Sequence, residues 1–316
     1  MNPDTTSQGE ASVRPQRNPK VVLVVVLIVA MVLIAAGYLF HRYGPQLSFQ
    51  GLHYLAGSYE ERALYKVGLF GTKLAQLPVT GKVIDYAQAD RTKAAIIDTG
   101  DGVQAVYLLS PGTARVLNTT PGIRASLAVS ADGTKVAYAE RLLDAPQATA
   151  SEFYNPTSWV IRVIDTVTGE VATMGNGFGT GLFVRDGSVY LVYGTQEGMH
   201  IANLTSGQHQ DVTFGVPEDV RQFPIVVSDD GSHVAIPSPA AVYTLFALEQ
   251  ESGVFTLRSI GALPEQARAV AFRNDSIFSA SRSTVETFLY KSPVASPETP
   301  SAWSRIPYVL ITKLIP

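Results

Sequence analysis

The chain has 316 residues, of which 46% are hydrophobic and 16% are charged, with 24 Lys and Arg against 27 Asp and Glu. It has no cysteine, which excludes disulfides, a thiolate nucleophile, a cysteine metal site and lipid attachment through a lipobox. From Tyr43 onward, 20 basic and 25 acidic residues give a net charge of −5, which argues against a nucleic-acid surface. Secreted eukaryotic domains usually rely on disulfides, so the missing cysteines favour a prokaryotic envelope protein.

Residues 1–20 form the first predicted segment, a disordered cytoplasmic tail rich in Asn, Pro, Thr, Ser and Gln. A segment of about 20 residues cannot bury a hydrophobic core. We therefore expect no cytoplasmic catalytic or sensor domain in residues 1–20.

The second segment, Val21 to Phe40, reads VVLVVVLIVAMVLIAAGYLF and contains no charged residue, Asn, Gln or Pro. About 20 residues of helix cross a hydrocarbon core of about 30 Å, so we predict a transmembrane signal-anchor helix in the lipid bilayer. The alternative is a signal peptide cleaved after Gly37. The apolar run is longer than a usual signal core and continues through Tyr38, which favours the uncleaved anchor.

The charges that flank this segment predict its orientation. Arg14, Arg17 and Lys20 precede it, whereas only Arg42 follows it closely. An excess of Lys and Arg marks the cytoplasmic side of a membrane helix. We therefore expect a single-pass protein of the cell membrane with a cytoplasmic N-terminus, a short linker at 41–50 and an extracytoplasmic domain at 51–316.

The rest of the chain has the pattern of an all-β domain built from repeats. Short runs of Val, Ile, Tyr, Phe and Thr alternate with Gly, Asp and Pro turns. The stretch SLAVSADGTKVAYAE at 126–140 recurs as PIVVSDDGSHVAIPS at 224–238, and weaker relatives lie at 84–98, 181–194 and 269–281. In each unit an apolar strand ends at a turn that contains Asp, and a second apolar strand follows.

The turn aspartates give the repeat a period that is typical of propeller blades. They are Asp90, Asp132, Asp186, Asp230 and Asp275. Their spacings are 42, 54, 44 and 45 residues, and a four-stranded blade takes about 40–45. An insertion at 142–158 accounts for the long interval. The repeats, with a divergent first unit at 45–82, predict a β-propeller of about six four-stranded blades.

The motifs resemble the repeats of TolB-type propellers and, more distantly, of WD-like propellers. Ser130–Ala137 and Trp159–Glu170 match the pattern best, and Ser228–Ala235 matches its first half. Other units depart from it, since Arg91 stands where Gly is expected and Asn274-Asp275 stands where Asp-Gly is expected. The resemblance implies six blades. It does not carry a function, because propellers of this kind include both enzymes and binding proteins.

The candidate catalytic motifs have simpler interpretations. Asp98-Thr99-Gly100 follows two apolar residues, as in the loop of an aspartic protease, but the chain has no second such motif to complete a carboxylate pair. We interpret it as a hairpin turn. The glycines at 175, 177, 179 and 181 lack the Lys-Ser/Thr of a phosphate loop and are predicted to link two blades. No serine-protease elbow, metal-ligand cluster or cofactor motif is present.

Two loops are candidate surfaces for a partner. The insertion at 142–158 carries Phe153 and Tyr154 as possible aromatic anchors for a protein. The alternative is that they cover the edge of a neighbouring blade. The Pro-rich stretch 292–302 is predicted to be a stiff connection between the last strands, and 305–314 is predicted to complete the ring.

The sequence therefore favours a non-enzymatic, membrane-tethered binding or scaffolding module of a prokaryotic envelope complex. The expected partners are the lipid bilayer, through Val21 to Phe40, and an envelope protein. The alternatives are a propeller enzyme that acts on glycan at the central channel, as a lyase or glycosidase, and a receptor for a glycan or small molecule.

Overall fold

The computed structural model of the chain describes residues 19–57, 62–68, 71–100, 102–141, 155–213, 224–238, 242–264, 267–283, 286–307 and 310–316. The chain divides into two compact units, Met1–Gly44 and Pro45–Pro316.

Helix α1 runs Pro19–Leu47 and includes the whole of the apolar stretch at 21–40. Its described side chains, from Leu23 to Tyr38, are exposed, and the exposed fraction reaches 72% at Ile34. Counting only the residues that the structure describes, no helix reaches the length and hydropathy of a membrane span.

The second unit consists of six antiparallel sheets, each with four strands. We number the sheets as blades 1 to 6 and give each from its innermost to its outermost strand. Blade 1 contains β24 (Ile311–Ile315), β1 (His53–Ala56), β2 (Ala63–Gly68) and β3 (Gly71–Leu74). Blade 2 contains β4 (Lys82–Ala89), β5 (Thr92–Asp98), β6 (Gln104–Ser110) and β7 (Thr113–Asn118). Blade 3 contains β8 (Arg124–Val129), β9 (Lys135–Arg141), β10 (Trp159–Asp165) and β11 (Val171–Asn176).

The remaining blades continue in chain order. Blade 4 contains β12 (Phe178–Arg185), β13 (Ser188–Gly194), β14 (Gly198–Asn203) and β15 (His209–Thr213). Blade 5 contains β16 (Val226–Val227), β17 (His233–Ser238), β18 (Val242–Glu251) and β19 (Val254–Ala262). Blade 6 contains β20 (Ala267–Arg273), β21 (Ser276–Arg282), β22 (Glu286–Pro293) and β23 (Ala302–Pro307). The prediction of an all-β propeller with six four-stranded blades is confirmed.

Blade 1 is built from both ends of the unit, and this closes the ring. Strand β24 pairs antiparallel with β1, with Ile315 opposite His53 and Leu314 opposite Tyr54. The divergent unit at 45–82 therefore supplies three strands, and the C-terminal stretch supplies the innermost one. The predicted role of 305–314 in completing the ring is confirmed.

The apolar residues on both faces of each blade form the cores between neighbouring blades. The described residues form six buried clusters, and each cluster combines side chains of two adjacent blades. Between blades 3 and 4, for example, the fully buried Trp159 contacts Phe178 with ring centroids 5.2 Å apart. Both faces of each blade are covered by neighbouring blades, so the strands do not alternate between apolar and polar residues as in a sheet with one solvated face.

The S-x-D-G repeat motif forms the hairpin between the first two strands of blades 3 and 5. In blade 3 the Ser130 hydroxyl donates to Asp132 over 2.6 Å and accepts the Lys135 amide over 3.0 Å, and Asp132 accepts the Thr134 amide over 3.0 Å. Blade 5 repeats the same bonds at its own hairpin. Burial tends to raise the pKa of Asp132, but the bonds from Ser130 and Thr134 outweigh it and the pKa is lowered. The motif is therefore a closed hydrogen-bond network of the turn.

The insertion and the Pro-rich stretch both connect strands, as was predicted for the Pro-rich stretch. The stretch 142–158 joins β9 to β10, and Asn155 accepts the Thr157 amide over 3.1 Å at its end. The Pro-rich stretch 292–302 joins β22 to β23. Within it Val294 and Pro297 are buried, and Val294 belongs to the core between blades 5 and 6. This loop therefore fills the space between those blades.

The turn glycines give a matched test of packing between blades. Gly231 and Gly187 lie in the first hairpins of blades 5 and 4, with φ of 67° and 73°, where any L-residue costs about 1 kcal/mol. A Cβ at Gly231 would overlap the Phe183 ring of blade 4, whereas a Cβ at Gly187 would meet nothing within 4 Å. We expect Gly187→Ala to lower the free energy of unfolding by about 1 kcal/mol and Gly231→Ala by about 3 kcal/mol. Urea unfolding measures both, and equal losses would contradict the packing described for Gly231.

Candidate functional site: the central channel

The innermost strands of the six blades enclose a cavity of about 350 Å³. This volume lies in the range of sites that hold small molecules. The chain enters these strands at one end of the channel, which we call the link end. It leaves them through the hairpins of Asp90, Asp132, Asp186, Asp230 and Asp275 at the other, which we call the turn end.

At the wall of the channel, Asp85 joins three blades. Its Oδ1 accepts Lys313 Nζ of blade 1 over 2.8 Å, and its Oδ2 accepts the amide of Leu127 in blade 3 over 2.8 Å. The same Lys313 Nζ also donates to the Leu127 carbonyl over 2.8 Å. Asp85 is 4% exposed. Both carboxylate oxygens are thus occupied by structural bonds, and the charge of Lys313 is neutralised.

β-Bulges interrupt the innermost strands close to the link end. The register shifts between Ala125 and Ala128 in β8, between Phe178 and Gly181 in β12 and between Ala267 and Ala269 in β20. A bulge re-aims the side chain of the extra residue. The residues placed in these bulges line the channel and include Ser126, Thr180 and Arg268.

Ser126 and Thr180 form a second contact between blades in the wall. Ser126 has φ of 57°, which is unusual for a residue with a side chain. Its Oγ accepts the Thr180 amide over 2.8 Å, and the Thr180 hydroxyl donates to the Ser126 carbonyl. The proton of the Ser126 hydroxyl is not used in this pair.

Two arginines line the cavity near the link end. One guanidinium nitrogen of Arg62 donates to the Ile84 carbonyl over 2.8 Å. Arg268 is exposed, and in the part of the chain that the structure describes no hydrogen bond or ion pair involves its side chain. Arginine pairs with oxyanions through its planar fork of N–H groups. Arg268 therefore presents positive charge to the channel at the link end.

The turn end presents negative charge. Asp229 lines the channel there, and its solvent-accessible carboxyl is surrounded by protein walls. Burial in this concave site, together with the charges of Asp230 and Asp90, raises its pKa to about 6. The channel is therefore polarised along its length.

The described residues of the channel do not form the carboxylate pair of a glycosidase. That reaction needs one carboxylic acid and one available carboxylate on either side of the bond. Asp229 has a raised pKa, as a general acid requires, but the bonds to Lys313 and Leu127 occupy Asp85. No group of three His, Asp or Glu side chains among the described residues is placed to hold a metal ion.

The described histidines of blades 4 and 5 also lack the arrangement of a serine hydrolase. In the blade 5 hairpin the Ser232 hydroxyl bonds Asp230 over 2.7 Å and lies 2.6 Å from Nδ1 of His233. The serine thus stands between the acid and the histidine, whereas a triad has the histidine in the middle. On blade 4, His200 contacts Asp211 over 2.7 Å and His209 over 3.3 Å. Neither partner is a serine, so this histidine has no nucleophile to activate.

The residues that the sequence singled out lie elsewhere. Asp98 ends β5, and its Oδ1 accepts the Gly100 amide over 2.9 Å, so its interpretation as a hairpin residue is confirmed. The glycines at 175–181 run from β11 into β12 and link blades 3 and 4 as predicted. At Gly181 a Cβ would overlap Val227. Phe153 and Tyr154 lie outside the described residues.

The sequence analysis missed the channel residues, although a signal was present. Asp85, Arg268 and Lys313 each lie within an apolar strand, in VIDYAQA, ARAVAF and ITKLI. A charged residue within a strand that is buried on both faces must find a partner or face a cavity. This pattern identifies the inner strands once the fold is known.

Comparisons with known proteins identify the fold alone. No protein-family model matches the sequence, and no curated protein sequence matches it significantly. TolB from Acinetobacter baumannii is similar in structure, with a TM-score of 0.52 and 14% identity over 84% of this chain and 67% of that one. The β-propeller domain of Swd1 from Myceliophteria thermophila has a TM-score of 0.45 and 10% identity over 73% of this chain and 88% of that one. The expectation of a TolB-like propeller fold is confirmed.

The bonds of Asp85 predict a large contribution to stability. Asp85→Ala leaves Lys313 without its carboxylate, and breaking a buried ion pair in this way costs about 3 kcal/mol or more. Glu249→Ala is the matched control, because it removes the exposed pair with Arg258 and costs about 1 kcal/mol or less. Urea unfolding compares the two. Similar losses would show that the Asp85 network does not hold the blades together.

The raised pKa of Asp229 predicts that the wild type and Asp229→Asn differ in stability at neutral pH but not at acidic pH. Its pKa is near 6 in the folded chain and about 3.9 in an unfolded one. The folded state therefore binds the proton more tightly, and the stability present below pH 4 is lost as the pH rises through 6. We expect Asp229→Asn to match the wild-type melting temperature at pH 3.5 and to exceed it at pH 7.5. Equal melting temperatures at both pH values would refute the raised pKa.

Proposed function

We propose that the protein is a membrane-tethered, extracytoplasmic binding module that acts as a scaffold in a prokaryotic envelope complex. The propeller is the binding part, and the apolar helix is the anchor. The binding role and the anchor are supported by different parts of the chain, namely blade 6 and helix α1.

The observation that carries the binding role is a partly exposed aromatic patch on blade 6, in which Trp303 is exposed and Phe288 and Tyr290 are half-buried. It consists of Phe288, Tyr290 and Trp303, on the two outermost strands. The Phe288 ring lies 6.4 Å from that of Tyr290 and 6.3 Å from that of Trp303, and Trp303 is 57% exposed. Arg305 lies beside the patch, paired with Glu286 over 3.2 Å. Trp, Tyr and Arg are the residues that dominate the energetics of protein interfaces.

The rigidity of the ring supports a scaffold. Side chains of one blade form hydrogen bonds to the backbone of the next. The Gln210 side chain of blade 4 donates to the Phe255 carbonyl of blade 5 and accepts the Phe255 amide, each over 2.7 Å. A surface fixed in this way needs little ordering when a partner binds. The patch is therefore presented in one geometry.

The anchor and the location rest on the sequence and on α1. The described helix side chains from Leu23 to Tyr38 are apolar apart from the Tyr hydroxyl, and they are exposed around the whole circumference of the helix. Exposed apolar area of this extent is unfavourable in water and favourable in lipid. The excess of Lys and Arg before the stretch supports an extracytoplasmic propeller.

Crosslinking on intact cells tests the proposal. We expect a membrane-impermeant, amine-reactive crosslinker to join the propeller to one envelope protein, because its lysines lie outside the membrane. Trp303→Ala should reduce the adduct at least fivefold. Leu74→Ala is the matched control, since it removes an exposed apolar side chain from the outermost strand of blade 1, and it should leave the adduct unchanged.

The outcomes separate the two halves of the proposal. An adduct that forms only with a membrane-permeant reagent would contradict the location. The absence of a specific adduct with either reagent would contradict the scaffold role. Equal adduct in the Trp303 and Leu74 variants would exclude the aromatic patch as the interface.

A further inference from the structure

We propose that the link end of the channel binds a small organic carboxylate, with the carboxylate group at Arg268 and an apolar body inside the channel. This site is separate from the aromatic patch of blade 6, because none of the three patch residues lines the channel. The inference therefore goes beyond the scaffold role and does not depend on it.

The cavity has the character of a small-molecule site. Its volume of about 350 Å³ suits a ligand of modest size and excludes a folded protein. Most of the lining is apolar and includes Phe178, Leu182, Ile225, Phe272 and Leu314. Apolar walls with a few placed polar groups favour a ligand that is itself mainly apolar.

Arg268 supplies the group that selects an anion. It is the extra residue of the β20 bulge, between the buried Ala267 and Ala269, and the bulge directs its side chain to the channel. Its guanidinium has no bonding partner among the described residues, so all five of its N–H groups are available. A carboxylate can accept two of them at once.

The neighbouring polar groups are donors as well. Arg62 lines the same end and is held in the wall, where it donates to the Ile84 carbonyl. The Ser126 hydroxyl accepts the Thr180 amide and retains its own proton for a ligand. Asp85, an acid of the same wall, is already paired with Lys313. The site therefore offers the Ser126 hydroxyl and the positive charge of Arg268 to an incoming group.

The polarity of the channel determines the orientation of the ligand. Carboxylates of Asp90, Asp229 and Asp230 stand at the turn end and repel an anion there. The ligand's carboxylate must therefore lie at the link end, and its apolar part must extend toward the turn end. Positive charge at this one end is notable in a domain whose net charge is −5.

Binding of 4-phenylbutyrate to the full-length protein in lipid nanodiscs tests the site, with empty nanodiscs as the blank. We expect one molecule to bind per chain by calorimetry. The neutral 4-phenylbutanamide and the cationic 4-phenylbutylamine, which share its apolar body, should bind at least tenfold more weakly. Arg268→Gln should lower the affinity for 4-phenylbutyrate at least tenfold. Arg305 is an exposed arginine on an outer strand, and Arg305→Gln should change this affinity less than twofold.

A cysteine label locates the ligand, because the chain contains no other thiol. Thr312 lines the channel, and Val116 is exposed on the outer strand of blade 2. We expect 4-phenylbutyrate to slow maleimide labelling of Thr312→Cys severalfold and to leave Val116→Cys unchanged. The proposal is overturned if the acid does not bind, if the amide or amine binds equally well, if Arg268→Gln has no effect, or if Thr312→Cys is not protected.

Discussion

The structure depends on the need of each blade to bury two faces. A four-stranded sheet that is apolar on both sides has no stable form alone, so each blade needs a neighbour on either side and the series must close. Strand β24 provides that closure by pairing with β1, which brings residues 311–315 beside residues 53–56. The cores between the blades follow from this single requirement, and so does the channel, because six innermost strands that face a common axis leave a space between them.

The same requirement explains why the polar chemistry is concentrated at the channel. Between the blades there is no room for an unpaired charge, and the charges that do occur in the inner strands are either paired or turned toward the axis. Asp85 and Lys313 show the first solution, and Arg268 in its bulge shows the second. The bulges thus have a structural and a chemical effect. They bend the innermost strands and also bring Ser126, Thr180 and Arg268 to the surface of the cavity.

The fold was predictable from the sequence because its determinants are local and repeated. The S-x-D-G hairpins are satisfied within about six residues, so they are visible as a motif at Ser130 and Ser228. The channel was not predictable, because its groups come from strands far apart in the chain. Asp85 and Lys313 are separated by 228 residues. No spacing rule connects them until the order of the blades is known, and the direction of the Arg268 side chain depends on a one-residue bulge.

The propeller fold does not by itself determine a function. The chain resembles 629 solved chains, and a fold shared so widely cannot specify a ligand. The features that do specify one are those that the repeat does not require. The hairpin serines and aspartates are needed for the turns in which they bond. The side chains of Arg268 and Trp303 are exposed, so the ring does not depend on them. The proposed binding roles account for both residues, since Trp303 is a large exposed aromatic side chain and Arg268 is a charge in a mainly apolar channel.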